Sequence, residues 1–187
     1  MMLKLGLVGA SLLALFATAS PLLAAPRSED LLIADLASPN PAKVTGALLQ
    51  LEKQYPTSTK AFPTIKKLLT DNREKVRRKA ARVLGALHAD VDPTDIKAII
   101  ALLKGTSAEE ITDGLKALRG LNAPEAVPEI TPFLKHPNTH LIRDACRTLA
   151  VLGNKDLIPS IEPLLQHREP AVQKDALDAI TALRSKS

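Results

Sequence analysis

The chain has 187 residues, a formal charge of +5, 45% hydrophobic and 24% charged residues, a balance that excludes an intrinsically disordered protein. Aromatic residues make up 2% (Phe16, Tyr55, Phe62 and Phe133, with no tryptophan), too few for a platform that stacks single-stranded bases or sugar rings. The single cysteine, Cys146, excludes an internal disulfide and a cysteine-cluster zinc site.

The first predicted element is a targeting segment. Lys4 precedes an uncharged run from Leu5 to Pro26, densest in apolar residues from Leu5 to Phe16, and small residues follow from Ala17 to Ala25. That order of positive end, apolar middle and small-residue exit reads as a secretory signal peptide over residues 1–25, leaving residues 26–187 as the mature domain. Cleavage is open between Ala17-Thr18-Ala19 and the Ala24-Ala25 end, and an uncleaved membrane anchor is the alternative. Export is the expected localisation, to a periplasm or to the medium if the source is bacterial.

The rest is a repeat. Small residues recur at Ala47, Ala80, Gly114, Ala145 and Ala176, in steps of 33, 34, 31 and 31. One position further on stand Leu48, Ala81, Leu115, Cys146 and Leu177. Three beyond those stand Leu51, Leu84, Leu118, Leu149 and Ile180. Such spacing is the buried face of an α-helix. Three further columns precede these at the same steps: Phe62, Ile96, Val127, Ile158; Ile65, Ile99, Ile130, Ile161; and Leu69, Leu103, Leu134, Leu165.

The columns predict five helical pairs. The first covers 28–37 and 41–54, with Leu32 and Leu36 continuing the apolar columns and Asn40-Pro41 as cap and first-position proline. The second covers 59–70 and 72–87, and the third covers 93–104 and 108–121. Pro93 opens the third pair, and Ser107 with Glu110 has the spacing of a capping box. The fourth covers 125–135 and 139–152, and the fifth covers 155–166 and 170–184, with Pro124, Asn138 and Pro170 at starts and Gly105 and Gly153 at ends. Asp35 stands where Leu68, Leu102, Phe133 and Leu164 stand later, the mark of a polar end cap. The expected fold class is all-α: a right-handed α-solenoid of about five two-helix repeats after the N-terminal signal segment.

The stretch VRRKAARVLGAL, Val76 to Leu87, preceded by Asp71, resembles a HEAT repeat of the short type named after the phycobilisome lyases. In that family an aspartate in the turn and an arginine six residues later help to tie neighbouring turns, and Asp71 and Arg77 fit those places. The equivalents of Arg77 are Val44, Ile111, Ile142 and Gln173, so the match is strongest in the second unit. Pro132 and Pro163, within AVPEITPFL and LIPSIEPLL, resemble the proline that bends the first helix of many HEAT units. The resemblance covers roughly residues 28–184 and implies a fold. The family spans scaffolds, adaptors and a few lyases, so it implies no single function.

Candidate binding residues lie on the second helices, opposite the leucines. One column reads Thr45, Arg78, Thr112, Arg143, Lys174, and the next reads Leu49, Arg82, Lys116, Arg147, Asp178. Being four residues apart, they form one stripe. Second helices commonly line the concave side of such solenoids. Arg78, Arg82, Lys116, Arg143, Arg147 and Lys174 are therefore the candidate contacts for a protein partner with an acidic surface; the bland reading is an ordinary solvated face. Nucleic acid or another anionic polymer is the first rival, opposed by the adjoining column Lys79, Asp113, Asp144, Asp175, whose aspartates repel phosphate. An accessory lyase or chaperone for a chromophore is the second, implied by the family resemblance alone. His136 and His167 occupy equivalent turns with no third ligand in view, and Cys146 falls in a core column. No cofactor or metal and no catalytic site is expected, and the chain is read as a monomer, touching a membrane through its N-terminal segment if that stays uncleaved.

Overall fold

The computed structural model describes residues 27–186, so the signal segment expected at 1–25 lies outside the described residues. The described chain contains helices and turns, with no strand among its residues. It runs α1 (Glu29–Asp35), α2 (Pro41–Gln54), α3 (Phe62–Lys67), α4 (Glu74–Ala86), α5 (Pro93–Ala101), α6 (Ala108–Gly120), α7 (Val127–Ile130), α8 (Thr139–Leu152), α9 (Ile158–Ile161) and α10 (Pro170–Arg184). Each odd helix packs on the even helix that follows it, and the even helices pack on one another in order from α2 to α10. That is a stack of five helical hairpins, matching the five predicted pairs.

The apolar columns build its core. Ile65, Ile99, Ile130 and Ile161 are all fully buried, as are Leu84, Leu118 and Leu149 on the facing helices. No single hairpin has enough apolar surface to bury these side chains alone, so each layer relies on the next. The far side of the fifth hairpin shows it: Leu177 is 55% exposed, whereas Leu48, Ala81, Leu115 and Cys146, its equivalents, are each 0% exposed. Leu165 is half-buried for the same reason. At the other end the buried Asp35 is clasped by Arg27 and Lys43, and the Arg27 guanidinium above all holds its carboxyl below the usual range. It serves as the expected polar cap.

The first helices of the last two hairpins break more than expected. Continuous helices over 125–135 and 155–166 are replaced by one α-helical turn each, α7 and α9, flanked by 3₁₀ segments Pro124–Ala126, Thr131–Lys135, Lys155–Leu157 and Glu162–Gln166. Pro128, Pro132, Pro159 and Pro163 each remove a backbone donor, and the tighter 3₁₀ winding accommodates the loss.

Two local expectations are corrected. Ser107 Oγ accepts from the Glu110 amide at 3.1 Å, but the reciprocal half of the capping box is absent: the buried Glu110 carboxylate accepts instead from Arg77 Nη2 at 2.9 Å. The reciprocal box forms at Asp92 and Asp95, opening α5. Asp71 and Arg77 are not a side-chain pair either. The Asp71 carboxylate holds Arg73, whose Nη1 reaches back to Ser38 O and Pro39 O, while Arg77 Nη1 donates to Asp71 O and Arg77 Nη2 reaches forward to Glu110. The two arginines thus tie three successive hairpins by their turns.

Left-handed backbone occurs at His88 (φ 48°) and Asn122 (φ 53°), after α4 and α6, rather than at a glycine. The Ala89 and Ala123 amides close the helix ends on Leu84 O and Leu118 O at 3.0 and 3.1 Å. Glycine is required between α4 and α6, where a Cβ on Gly120 would sit 2.2 Å from Gly85 O. Gly120→Ala is expected to cost about 1–3 kcal/mol by overpacking, measured by chemical denaturation. Gly46→Ala is the matched control in α2, where an added Cβ meets nothing within 4 Å. It is expected to stabilise by about 0.5–1 kcal/mol.

Candidate partner-binding surface

Each even helix offers a polar face carrying the predicted stripe. The even helices are amphipathic with one apolar face turned to the core, so the residues at the opposite positions meet solvent. The structure connects the stripe to the acidic column beside it in a regular way: a stripe residue reaches the acidic position of the next hairpin. Arg78 Nη1 lies 3.6 Å from Asp113 Oδ2, Thr112 Oγ1 donates to Asp144 Oδ2 at 3.0 Å, and Arg143 Nε donates to Asp175 Oδ2 at 2.7 Å. The aspartates, read from sequence as repelling anions, are the inter-layer partners of the stripe itself: Asp113 and Asp175 of its arginines and Asp144 of its threonine.

This ladder separates the six candidate residues into two groups. Arg143 and Arg147 both close on the buried Asp175, Arg147 with Nη2 at 3.0 Å and Nε at 3.2 Å, and Lys174 pairs with Asp178 at 2.6 Å. The last two hairpins therefore neutralise themselves. Arg78, Arg82 and Lys116 are held more loosely. Arg82 Nη2 meets Glu52 at 3.4 Å, its Nε is buried without an acceptor, and Lys116 makes no ion pair among the described residues. An unmade bond to a buried donor costs about 1–3 kcal/mol, so the Arg82 side chain is under-partnered as it stands.

Two hollows adjoin along α4. One, of about 380 Å³, is lined by Thr45, Lys75, Arg78, Lys79, Arg82 and Asp113. The other, of about 310 Å³, includes Glu52, Arg82, His88, Lys116 and Arg119, so that Arg82 is common to both. Six cations line the pair of hollows against two carboxylates, Glu52 and Asp113. Burial pushes the Asp113 carboxyl above its usual range despite the cations around it. Burial, and then the Arg82 charge, push the Lys79 ammonium below its usual range. Lys75 and Lys79 are not among the six stripe residues named as candidate contacts, although both lie in the dense basic run from Arg73 to Arg82 and Lys79 is the one basic residue in an otherwise acidic column.

Three turn histidines are engaged with backbone, and the cysteine is inert. His136 Nδ1 and His167 Nδ1 accept from the Asn138 and Glu169 amides at 3.0 and 3.1 Å, one turn contact repeated in two hairpins. His88 Nδ1 lies 2.7 Å from Gly120 O, which places its proton on that nitrogen. Burial pushes the Cys146 thiol up to about 12, so it stays protonated and unreactive.

Solved structures share this architecture. A chain from the structure of the CpcE–CpcF complex of phycocyanin lyase from Nostoc sp. PCC7120 superposes with a TM-score of 0.74 at 22% identity, over 89% of this chain and 69% of that one. A computationally designed armadillo repeat protein for modular peptide recognition superposes with a TM-score of 0.60 at 21% identity, over 81% of this chain and 80% of that one. The chain folds as a HEAT/armadillo-like α-solenoid. An engineered protein gives a TM-score of 0.67 at 20% identity, over 85% of this chain and 80% of its own. No protein-family model matches the sequence, and no curated protein does. Within the solenoid, the cationic hollows fall on the stacked even helices, the surface that runs through every repeat.

Proposed function

We propose that this solenoid is an exported, non-catalytic protein-binding module, acting as a monomer, that takes an acidic segment of a partner on the face of its even helices. The observation that carries the reading is the cation surplus at α4 and α6, where two adjoining hollows hold six basic side chains against two carboxylates. Arg78, Arg82 and Lys116 make the main contacts, and Arg143, Arg147 and Lys174 flank them. The repeat architecture supports a peptide or protein ligand, since a designed protein of similar fold was made for peptide recognition. Export rests on the charge and hydropathy order of residues 4–27.

The test is fluorescence anisotropy with a labelled glutamate-rich peptide. Arg78→Gln/Arg82→Gln/Lys116→Gln is expected to weaken binding about tenfold or more, which is about 1.4 kcal/mol, with an unchanged melt, whereas Lys174→Gln has little effect. Raising the salt weakens the complex, as screening of exposed charges requires. Tighter binding to duplex DNA than to the peptide would overturn the reading. The likeness to a phycocyanin lyase complex favours one second reading, a helper in chromophore attachment. Mixing with a free bilin then shifts the bilin's absorbance, whereas the binding-module reading predicts no shift.

A further inference from the structure

The inter-layer ladder has one irregular rung. Arg78 reaches Asp113, Thr112 reaches Asp144 and Arg143 reaches Asp175, each running from one hairpin to the acidic position of the next. At the first junction the same two positions hold Thr45 and Lys79. Thr45 turns its hydroxyl back onto Pro41 O at 3.0 Å, within its own helix. Lys79 makes no ion pair among the described residues, although it is half-buried and has Arg78 and Arg82 beside it. Where the ladder elsewhere supplies a carboxylate, this rung supplies a cation and leaves a hollow of about 380 Å³.

We propose that this hollow is an oxyanion seat: a carboxylate or phosphoryl group from outside the chain takes the place of the missing acid, between Lys79, Arg78 and Arg82. This rests on the binding reading above and locates its chemistry. Lys75 stands at the rim and adds to the attraction, while Asp113 opposes it. Arg82 is free to take part because it gives up little: a 3.4 Å contact to Glu52 and an Nε with no acceptor. A guanidinium that turns from this arrangement to an oxyanion exchanges a loose contact for charge-assisted hydrogen bonds, which are about twice as strong as neutral ones. At the last junction the column position of Lys79 is held by Asp175, on which Arg143 and Arg147 of the preceding hairpin close, so that rung supplies its own carboxylate.

The experiment measures binding of two ligands, inorganic phosphate and a blocked tetraglutamate peptide, by calorimetry and by the Arg side-chain NMR resonances. Lys79→Asp installs the missing carboxylate in place. It is expected to reduce binding of the recognised ligand about tenfold or more while keeping a melting temperature equal to or above that of the unmodified chain. Asp113→Asn removes the opposing charge and is expected to tighten binding severalfold. Tetraglutamate binding that Lys79→Asp abolishes supports the seat with a protein carboxylate as its source. Phosphate binding alone, abolished by the same change, supports the seat and overturns the acidic-peptide reading. Tetraglutamate binding unaffected by Lys79→Asp overturns the seat and leaves that reading standing. Binding of neither ligand overturns both.

Discussion

Replacing Leu115 by aspartate abolishes the cooperative unfolding transition, whereas the same change at Leu177 leaves it in place. The two residues occupy one column of the repeat, 62 positions apart, and differ in what lies beyond them: Leu115 is 0% exposed and Leu177 is 55% exposed. At Leu115 the change gives up about 1.5–3 kcal/mol of apolar burial and places an unpaired carboxylate in the core, which costs several more. Against a total stability of about 5–15 kcal/mol, that loss unfolds the central hairpin. Because each hairpin is stabilised through its neighbours, the outer ones lose their contacts with it. At Leu177 the carboxylate stays in water and the effect is within about 0.5 kcal/mol. Far-UV circular dichroism melts distinguish the two, and equal losses at both positions would contradict layered packing.

The second large effect belongs to Arg77. Its Nη2 is the side-chain partner of Glu110, whose own side chain is 6% exposed, and its Nη1 holds the turn at Asp71 and Asn72. Arg77→Met leaves a buried carboxylate uncompensated and is expected to cost about 3 kcal/mol, the low end for a broken buried pair, because Arg77 keeps 26% of its side chain in solvent. Arg77→Met/Glu110→Leu is expected to recover most of that loss, since removing both partners removes the unpaired charge. Chemical denaturation of the two single variants and the double gives the coupling directly. A double variant as unstable as Arg77→Met would mean that the turn bonds, and not the ion pair, carry the effect.

The architecture was legible because a helical repeat writes its core at fixed offsets. The isoleucine column from Ile65 to Ile161 and the small-residue column from Ala47 to Ala176 are both buried as the spacing requires. What the spacing could not convey was the choice among nearby polar partners. Glu110 has the spacing for a cap, yet an arginine from the preceding hairpin, 33 residues earlier, outcompetes the backbone amide for its carboxylate. Proline was legible as a bend at 132 and 163, but the added effect of Pro128 and Pro159 in the same turns, which breaks the helices into short pieces, was not. The stripe itself was legible as a set of columns. Its division into a neutralised half and a cationic half was not, because it depends on the diagonal reach from Arg78 to Asp113 and from Arg143 to Asp175 between layers. Lys79 carried the signal in sequence, as the one departure from an acidic column.

The landing place of an acidic ligand decides the binding role. Backbone amide NMR of the isotopically labelled domain, titrated with the glutamate-rich peptide, reads this out directly. Shifts confined to α4, α6 and the neighbouring turn of α2 are the expected result, fading as salt is raised. Shifts centred on α8 and α10, or on the proline-lined surface of α7 and α9, would contradict it.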